Sequence, residues 1–163
     1  MELTRHTSRR LHEEHVTVLA LLERFGRALA RLGAPPPADD PVWSALLPQL
    51  AAALEHEISA HFELEESVLF PLLRAHRAGD LADLLLEEHA AIREVSRPLL
   101  DLLKRARAGS LDAGGWQALR ALGLELVERL ASHAQKEQVS LVPVVDELLD
   151  EATDLEIWNE YVN

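Results

Sequence analysis

Apolar residues recur at helical spacing along four long stretches of the chain. Leu11, Val18, Leu22 and Leu29 form one stripe. Leu54, Ile58, Val68 and Leu72 form a second, Leu85, Ile92 and Leu103 a third, and Leu126, Leu130 and Val144 a fourth. Chain punctuation separates the same four stretches. The first segment runs from about Ser8 to Leu32 and stops at Gly33, because the successive prolines of GAPPPADDP cannot continue a helix. The second begins after Asp40, a side chain suited to capping a helix N-terminus, with Pro41 at the first helical position. It is expected to end near His76, with Gly79 as its stop. The third spans about Asp80 to Ala108, before Gly109, and the fourth about Asp112 to Leu149. A short fifth helix is expected after Thr153 or Asp154. Pro48, Pro71, Pro98 and Pro143 fall inside these segments and predict kinks or early ends there. Long amphipathic helices on short connections predict an all-α fold: an up-down-up-down antiparallel four-helix bundle with a short C-terminal helix. It would form one domain over 1–163, with its core at about 8–150.

The four segments are two copies of one unit. HFELEESVLFP (His61 to Pro71) and HAQKEQVSLVP (His133 to Pro143) share His-x-x-x-Glu, then Leu four residues past the Glu and Pro two further on. LHEEH at Leu11–His15 matches LLEEH at Leu85–His89. The offsets are 89 − 15 = 74 and 133 − 61 = 72 residues. A fixed internal period means a repeated supersecondary unit, here a helical hairpin, so the bundle is expected to have pseudo-twofold symmetry.

The motif residues lie on the apolar stripes. At about 100° per residue, Glu65 is roughly 40° from His61, so both share a face. His133 and Glu137 do likewise, and His15 and His89 sit within the stripes of their own helices. Any one of these is read most simply as a hydrogen-bonded core histidine. The set is not. A buried carboxylate costs several kcal/mol unless it is paired or coordinated, against a domain stability of about 5–15 kcal/mol. Two Glu and four His in a Leu-rich core, with no Lys or Arg on those stripes, need a counter-charge, and metal cations supply it. Six such ligands exceed one tetrahedral zinc site. The symmetry suggests two ions, each held by His nitrogens, with Glu65 and Glu137 bridging. Imidazole with carboxylate suits iron or manganese. No His has a Glu three residues before it, which disfavours the Glu-x-x-His pattern of ferritin-like centres.

Composition narrows the rest. The 163 residues carry a formal net charge of −12, which opposes non-specific binding to nucleic acid or to an anionic membrane. There is no Cys, so thiolate ligands, Cys nucleophiles and disulfides are excluded. The opening MELTRHTSRRLHEEH lacks the apolar core of a signal peptide, and no stretch of about 18 apolar residues suggests a membrane span. A cytoplasmic monomer or weak homo-oligomer is the expectation.

His on the first segment, His-x-x-x-Glu on the second, Glu-His on the third and His-x-x-x-Glu on the fourth resemble the hemerythrin-like (HHE cation-binding) domain family. FELEESVLFP after His61 and the Pro143 after KEQVSLVP are also similar to that family. The resemblance covers about residues 8–150. It implies that His15, His61, His89 and His133 ligate iron, that Glu65 and Glu137 bridge, and that the cofactor is two non-heme iron ions, carboxylate- and oxo- or hydroxo-bridged. It further implies work with O2, nitric oxide or peroxide, or in iron homeostasis and repair. The alternative within the family is a reversible O2 or iron carrier or store without turnover. A structural bundle holding zinc is a third reading.

One departure discriminates. Oxygen-carrying members have a second His one turn from the first on the third helix, whereas this chain has Arg93 and Leu85 at those positions. On a count of coordination positions, four His and two bridging carboxylates leave one open position on each iron, so irreversible oxidation or NO binding is expected rather than stable O2 carriage. The family's repair proteins carry a Cys-bearing N-terminal segment and its sensors carry appended domains; neither is expected here.

Several flanking residues have two readings each. His12 is either a spare ligand or a solvated flank. Glu14, Glu57 and Glu88 either hold ligand N–H groups and line an access route, or lie on solvated faces. His56, about 140° from His61, is expected to face outward. Trp158 and Tyr161 are expected to dock the C-terminal stretch against the bundle.

Overall fold

The computed structural model describes residues 2–37 and 39–162, and every element among them is helical. Met1, Ala38 and Asn163 of the expected domain lie outside the described residues. Helix α1 spans His6–Arg31. Helix α2 covers residues 41–75 as one run of consecutive segments: Pro41–His56, a π turn at Glu57–His61, Phe62–Leu64, a second π turn at Glu65–Leu69, and Phe70–Ala75. Helices α3 (Gly79–Arg107) and α4 (Ala113–Val139) complete the bundle, and α5 (Leu141–Leu148) and α6 (Glu151–Val162) follow. Helix α1 packs on α2 and α4, and α3 packs on the same two, which closes the four-helix ring.

The helix starts follow local chemistry. Asp40 accepts from the amides of Val42 (3.0 Å) and Trp43 (2.9 Å) ahead of Pro41, and Asp112 accepts from Gly115 N at 2.7 Å. These bonds satisfy amide donors that a helix start leaves free. Helix α1 has no side-chain cap of its own. Asp154 of α6 caps it from across the fold, accepting from His6 N at 2.8 Å and Thr7 N at 2.9 Å.

Three expectations need correction. Gly79 does not stop α2; it opens α3, and the left-handed residue that ends α2 is Arg77 (φ 63°), in a turn closed by Ala78 N to Leu73 O at 2.9 Å. Helices α2 and α3 run on through Pro48 and Pro98, and the carbonyls those prolines leave unbonded belong to the exposed residues Ser44 and Glu94. Pro143 does accompany an interruption, at Ser140, between α4 and α5. Finally, the stripe on α2 is displaced beyond His61. Val68 and Leu72 are only half-buried, while Leu69 and Leu73 are fully buried. A π turn closes i→i+5 bonds and adds a residue to the turn, so counting at the α-helical angle falls one position behind. The break at Ser140 does the same on the last stripe, burying Val145 rather than Val144.

The apolar interior forms two clusters. One gathers Phe25, Trp43, Leu54, Ile92, Trp116 and Leu130; the other gathers Leu11, Phe70, Leu73, Leu85, Val145 and Ile157. Along α1 and α3 the boundary between clusters falls at His15 and His89, so a polar layer crosses the bundle at the level of the four histidines. At the α1–α4 crossing there is no room for a side chain on Gly123, where a Cβ would stand 2.6 Å from Leu29 Cδ1 and 2.9 Å from Phe25 Cε1.

Candidate metal centre

Each of the four long helices delivers one buried His to the polar layer, and α2 and α4 add a Glu one turn later. His15, His61, Glu65, His89 and Glu137 are fully inaccessible and His133 is 1 % exposed. The π turns lie at this point of α2: His61 ends the first and Glu65 begins the second. Such turns are often found at functional sites, because the local rewinding re-aims side chains.

The six residues form two groups that share both carboxylates. His15, His61, Glu65 and Glu137 make one; His89, His133, Glu65 and Glu137 make the other, each with its ligand atoms mutually within 4.8 Å. Glu65 places Oε1 3.2 Å from His61 Nε2 and Oε2 3.2 Å from His89 Nε2. Glu137 places Oε2 3.1 Å from His15 Nε2 and Oε1 3.1 Å from His133 Nε2. Within each group the two Nε2 atoms face each other, at 3.2 Å for His15 and His61 and 3.1 Å for His89 and His133. All four carboxylate oxygens are buried and none is in hydrogen-bonding alignment. Lone pairs gathered at such spacing surround a shared centre. Two ligand atoms at about 2.1 Å from an ion and about 90° apart stand about 3.0 Å from each other. The residues therefore fit the donor set of a metal cation, with Glu65 and Glu137 common to both groups.

The outward ring nitrogens are held by a further set of carboxylates. His61 Nδ1 donates to Glu14 at 2.8 Å, His89 Nδ1 to Glu66 at 2.7 Å and His133 Nδ1 to Glu88 at 2.9 Å. Each bond places the proton on Nδ1, orients the ring and leaves the Nε2 lone pair pointing inward. Each carboxylate is in turn paired with a cation: Glu14 with Arg10 at 2.7 Å, Glu66 with Arg93 at 2.6 Å, and Glu88 with Lys136. The internal repeat predicts a fourth such bond. Gln138 stands where Glu66 does in the other hairpin, but its Oε1 bonds His12 Nδ1 at 2.9 Å, and His15 Nδ1 has no partner. His12 is thus an exposed flank. Arg93, one turn past His89, also lies over the Phe62 ring at 5.1 Å, and Phe62 stacks on His89 with centroids 3.6 Å apart. Leu85, the other neighbour one turn away, is fully buried and apolar.

The charges inside the layer respond to one another. Burial lowers the pKa values of His61, His89 and His133, but Glu57 and Glu65 at His61, Glu137 and Glu65 at His89, and Glu137 at His133 outweigh it and raise all three, His89 to about 9. Burial raises the carboxyls of Glu65 and Glu137, yet the surrounding imidazoles hold both below the ordinary value. Burial likewise raises Glu14, and its bonds to His61 and Tyr161 lower it to about 2. Glu57 goes the other way. It is only 2 % exposed, Oε1 has no hydrogen-bond partner, and burial pushes its carboxyl up.

Sequence reasoning missed Glu66, which the helical wheel places on a flank, and the partners of His56. His56 keeps its side chain 40 % exposed, yet its Nε2 lies 3.0 Å from Glu14 Oε1 and 3.1 Å from Tyr161 Oη, and Tyr161 donates to Glu14 Oε2 at 2.8 Å. The C-terminal helix α6 therefore reaches the support of His61 directly. Trp158 packs on the His6 ring, centroids 5.6 Å apart.

A helical bundle with paired His/Glu groups in its core is a metal-binding bundle. Residues 6–145 match the family model of the hemerythrin HHE cation binding domain, and the chain belongs to that family. No curated protein compared with the chain matches it. Among the described residues, no helix is long and apolar enough to cross a membrane.

Proposed function

We propose that the protein is a non-heme di-iron protein that reacts with or senses O2, nitric oxide or peroxide. The observation that carries this reading is the sharing of Glu65 and Glu137 between two facing His pairs, which suits two ions close together rather than one. His15 and His61 would hold one ion and His89 and His133 the other, with both carboxylates spanning the pair. Iron supplies one-electron chemistry with diatomic ligands, and imidazole with carboxylate is a donor set that suits it.

The chain's own residues do the rest. Glu14, Glu66 and Glu88 fix three rings and raise their basicity as donors. Phe62 and Phe70, both fully buried, lie against His89 and keep bulk water from that side. Arg93 is committed to Glu66, and Leu85 has no donor atom, so no fifth imidazole reaches the centre from α3. This supports small-ligand positions on both ions and favours irreversible reaction over O2 carriage.

The test is to mix the reduced, iron-loaded protein with oxygenated buffer and follow absorbance by stopped flow. The reading predicts oxidation that does not reverse on degassing. A long-lived oxygenated form that reverts to the ferrous state on degassing would establish a reversible carrier instead.

A further inference from the structure

Two surface clefts flank the polar layer, and the internal repeat relates them. The first lies between α1 and α2, has a volume of about 320 Å3, and is lined by Arg10, Glu13, Glu14, Thr17, His56 and Glu57 among others. The second lies between α3 and α4 and is lined by Glu88, Ala91, Ile92, Glu125, Glu128 and Arg129 among others. Adding 74 to the α1 positions and 72 to the α2 positions carries one onto the other: Glu14 onto Glu88, Thr17 onto Ala91, His56 onto Glu128 and Glu57 onto Arg129.

The shape is repeated and the chemistry is not. At the floor of the first cleft Glu57 is 2 % exposed, and its Oε1 is without a hydrogen-bond partner and 4.0 Å from His61 Nε2. At the matching place in the second, Arg129 turns outward, with its side chain 47 % exposed and its Nε bonded to Glu125 Oε1 at 2.9 Å. One cleft thus leads from exposed Glu13, past Glu14 and His56, to a buried unpaired carboxylate beside a ligand histidine. The other is acidic too, but Glu88 is paired with Lys136 and Glu125 with Arg129, which stands where Glu57 does in the first. Glu57 also lies outside both four-residue groups, so it stands next to the centre without belonging to it.

We propose that the α1–α2 cleft is the port through which divalent metal ions load the centre, with Glu57 as the transit ligand at its floor. The proposal rests on the metal-centre reading above. A cation leaving water for a Leu-rich interior loses its hydration, and a carboxylate placed midway offsets that loss before the imidazoles take over. Glu13, Glu14 and Glu57 outnumber Arg10 along the cleft, and a net negative potential concentrates cations at its mouth. Loading is then one-sided: the His15/His61 position meets each arriving ion first, and the ion destined for His89 and His133 passes through it. Tyr161 and Arg10 hold Glu14 in the wall, so the C-terminal helix shapes the port.

Metal-free full-length protein mixed with Co(II), with uptake followed by visible absorbance and the final metal content measured, tests this. Glu57→Gln is expected to slow uptake by at least about tenfold and still to reach the same final content as the unsubstituted protein. Arg129→Gln, at the matching site, is expected to load at close to the unsubstituted rate. Thr17→Trp, which narrows the mouth without touching any ligand, is expected to slow uptake as well. Loading of Glu57→Gln and Thr17→Trp at the unsubstituted rate would overturn the port, as would equal slowing by Arg129→Gln. A lower final content in Glu57→Gln would overturn the transit role, making Glu57 a standing ligand. If the unsubstituted protein took up no Co(II), the metal centre itself would be overturned and the port with it.

Discussion

Glu14 on α1 accepts the Nδ1 proton of His61 on α2 at 2.8 Å, and through it one helix sets the direction in which its neighbour's ligand points. The same carboxylate binds Tyr161 of α6. Removing such a carboxylate behind a metal-bound histidine typically lowers metal affinity about 10–100-fold. Glu14→Ala is expected to show a loss in that range in a competition titration against a chelator, with the helical content unchanged. Affinity equal to that of the unsubstituted protein would mean that the bond does not orient His61.

The two shared carboxylates differ from the histidines in reach. Glu65 and Glu137 each touch both His pairs, whereas His15 touches one. Glu65→Ala or Glu137→Ala is therefore expected to remove both ions, and His15→Ala to weaken chiefly one. His12→Ala, a change on the exposed flank, should leave the metal content intact. Metal analysis of the four variants checks this, and an empty site in His12→Ala beside a full one in Glu137→Ala would refute the ligand assignment.

Protonation gives a signed expectation for stability. His89 has a pKa of about 9 against an ordinary 6.5, and His61 and His133 are raised as well. A raised native value contributes stability that is fully present below the unfolded pKa and is lost as pH rises through the native one. The metal-free protein should therefore lose thermal stability between about pH 6.5 and 9. With metal bound, these nitrogens carry no proton and binding stabilises the native state by mass action. The gap in melting temperature between loaded and metal-free protein should widen over that interval; a constant gap would contradict the charge arrangement.

Asp154 caps α1 from α6, so its loss should be felt at both ends of the chain. Asp154→Ala is expected to destabilise the protein by about 0.5–2 kcal/mol, the usual cost of a lost helix cap. Hydrogen exchange should rise at Thr7 and its neighbours and along α6. Exchange confined to α6 would mean that the cap contributes nothing to α1.

The sequence carried the centre further than its surroundings. The grouping of four histidines and two glutamates was legible because polar side chains on the apolar stripes of a Leu-rich core have no other compensation, and because the repeat writes them twice. The support of those ligands was legible only in part. Glu14 and Glu88 precede ligand histidines and were candidates with two readings. Glu66 was invisible because a helical wheel assumes an unbroken α-helix, and the π turns of α2 rewind it where Glu66 stands. The same rewinding moved burial from Val68 and Leu72 to Leu69 and Leu73. The partners of His56, Glu14 and Tyr161, were not legible because they come from other helices, and contacts of that kind leave no periodic trace. The contrast of Glu57 with Arg129 was present in the repeat from the start, but it acquires meaning only once both positions are seen to line equivalent clefts.

The central claim is a pair of iron ions held by one set of six side chains. Metal analysis of protein produced with iron, calibrated by amino-acid analysis, tests it most directly. Two iron ions per chain are expected, both lost from Glu65→Ala. A reproducible value of one ion per chain, or zinc alone after production with iron, would contradict it.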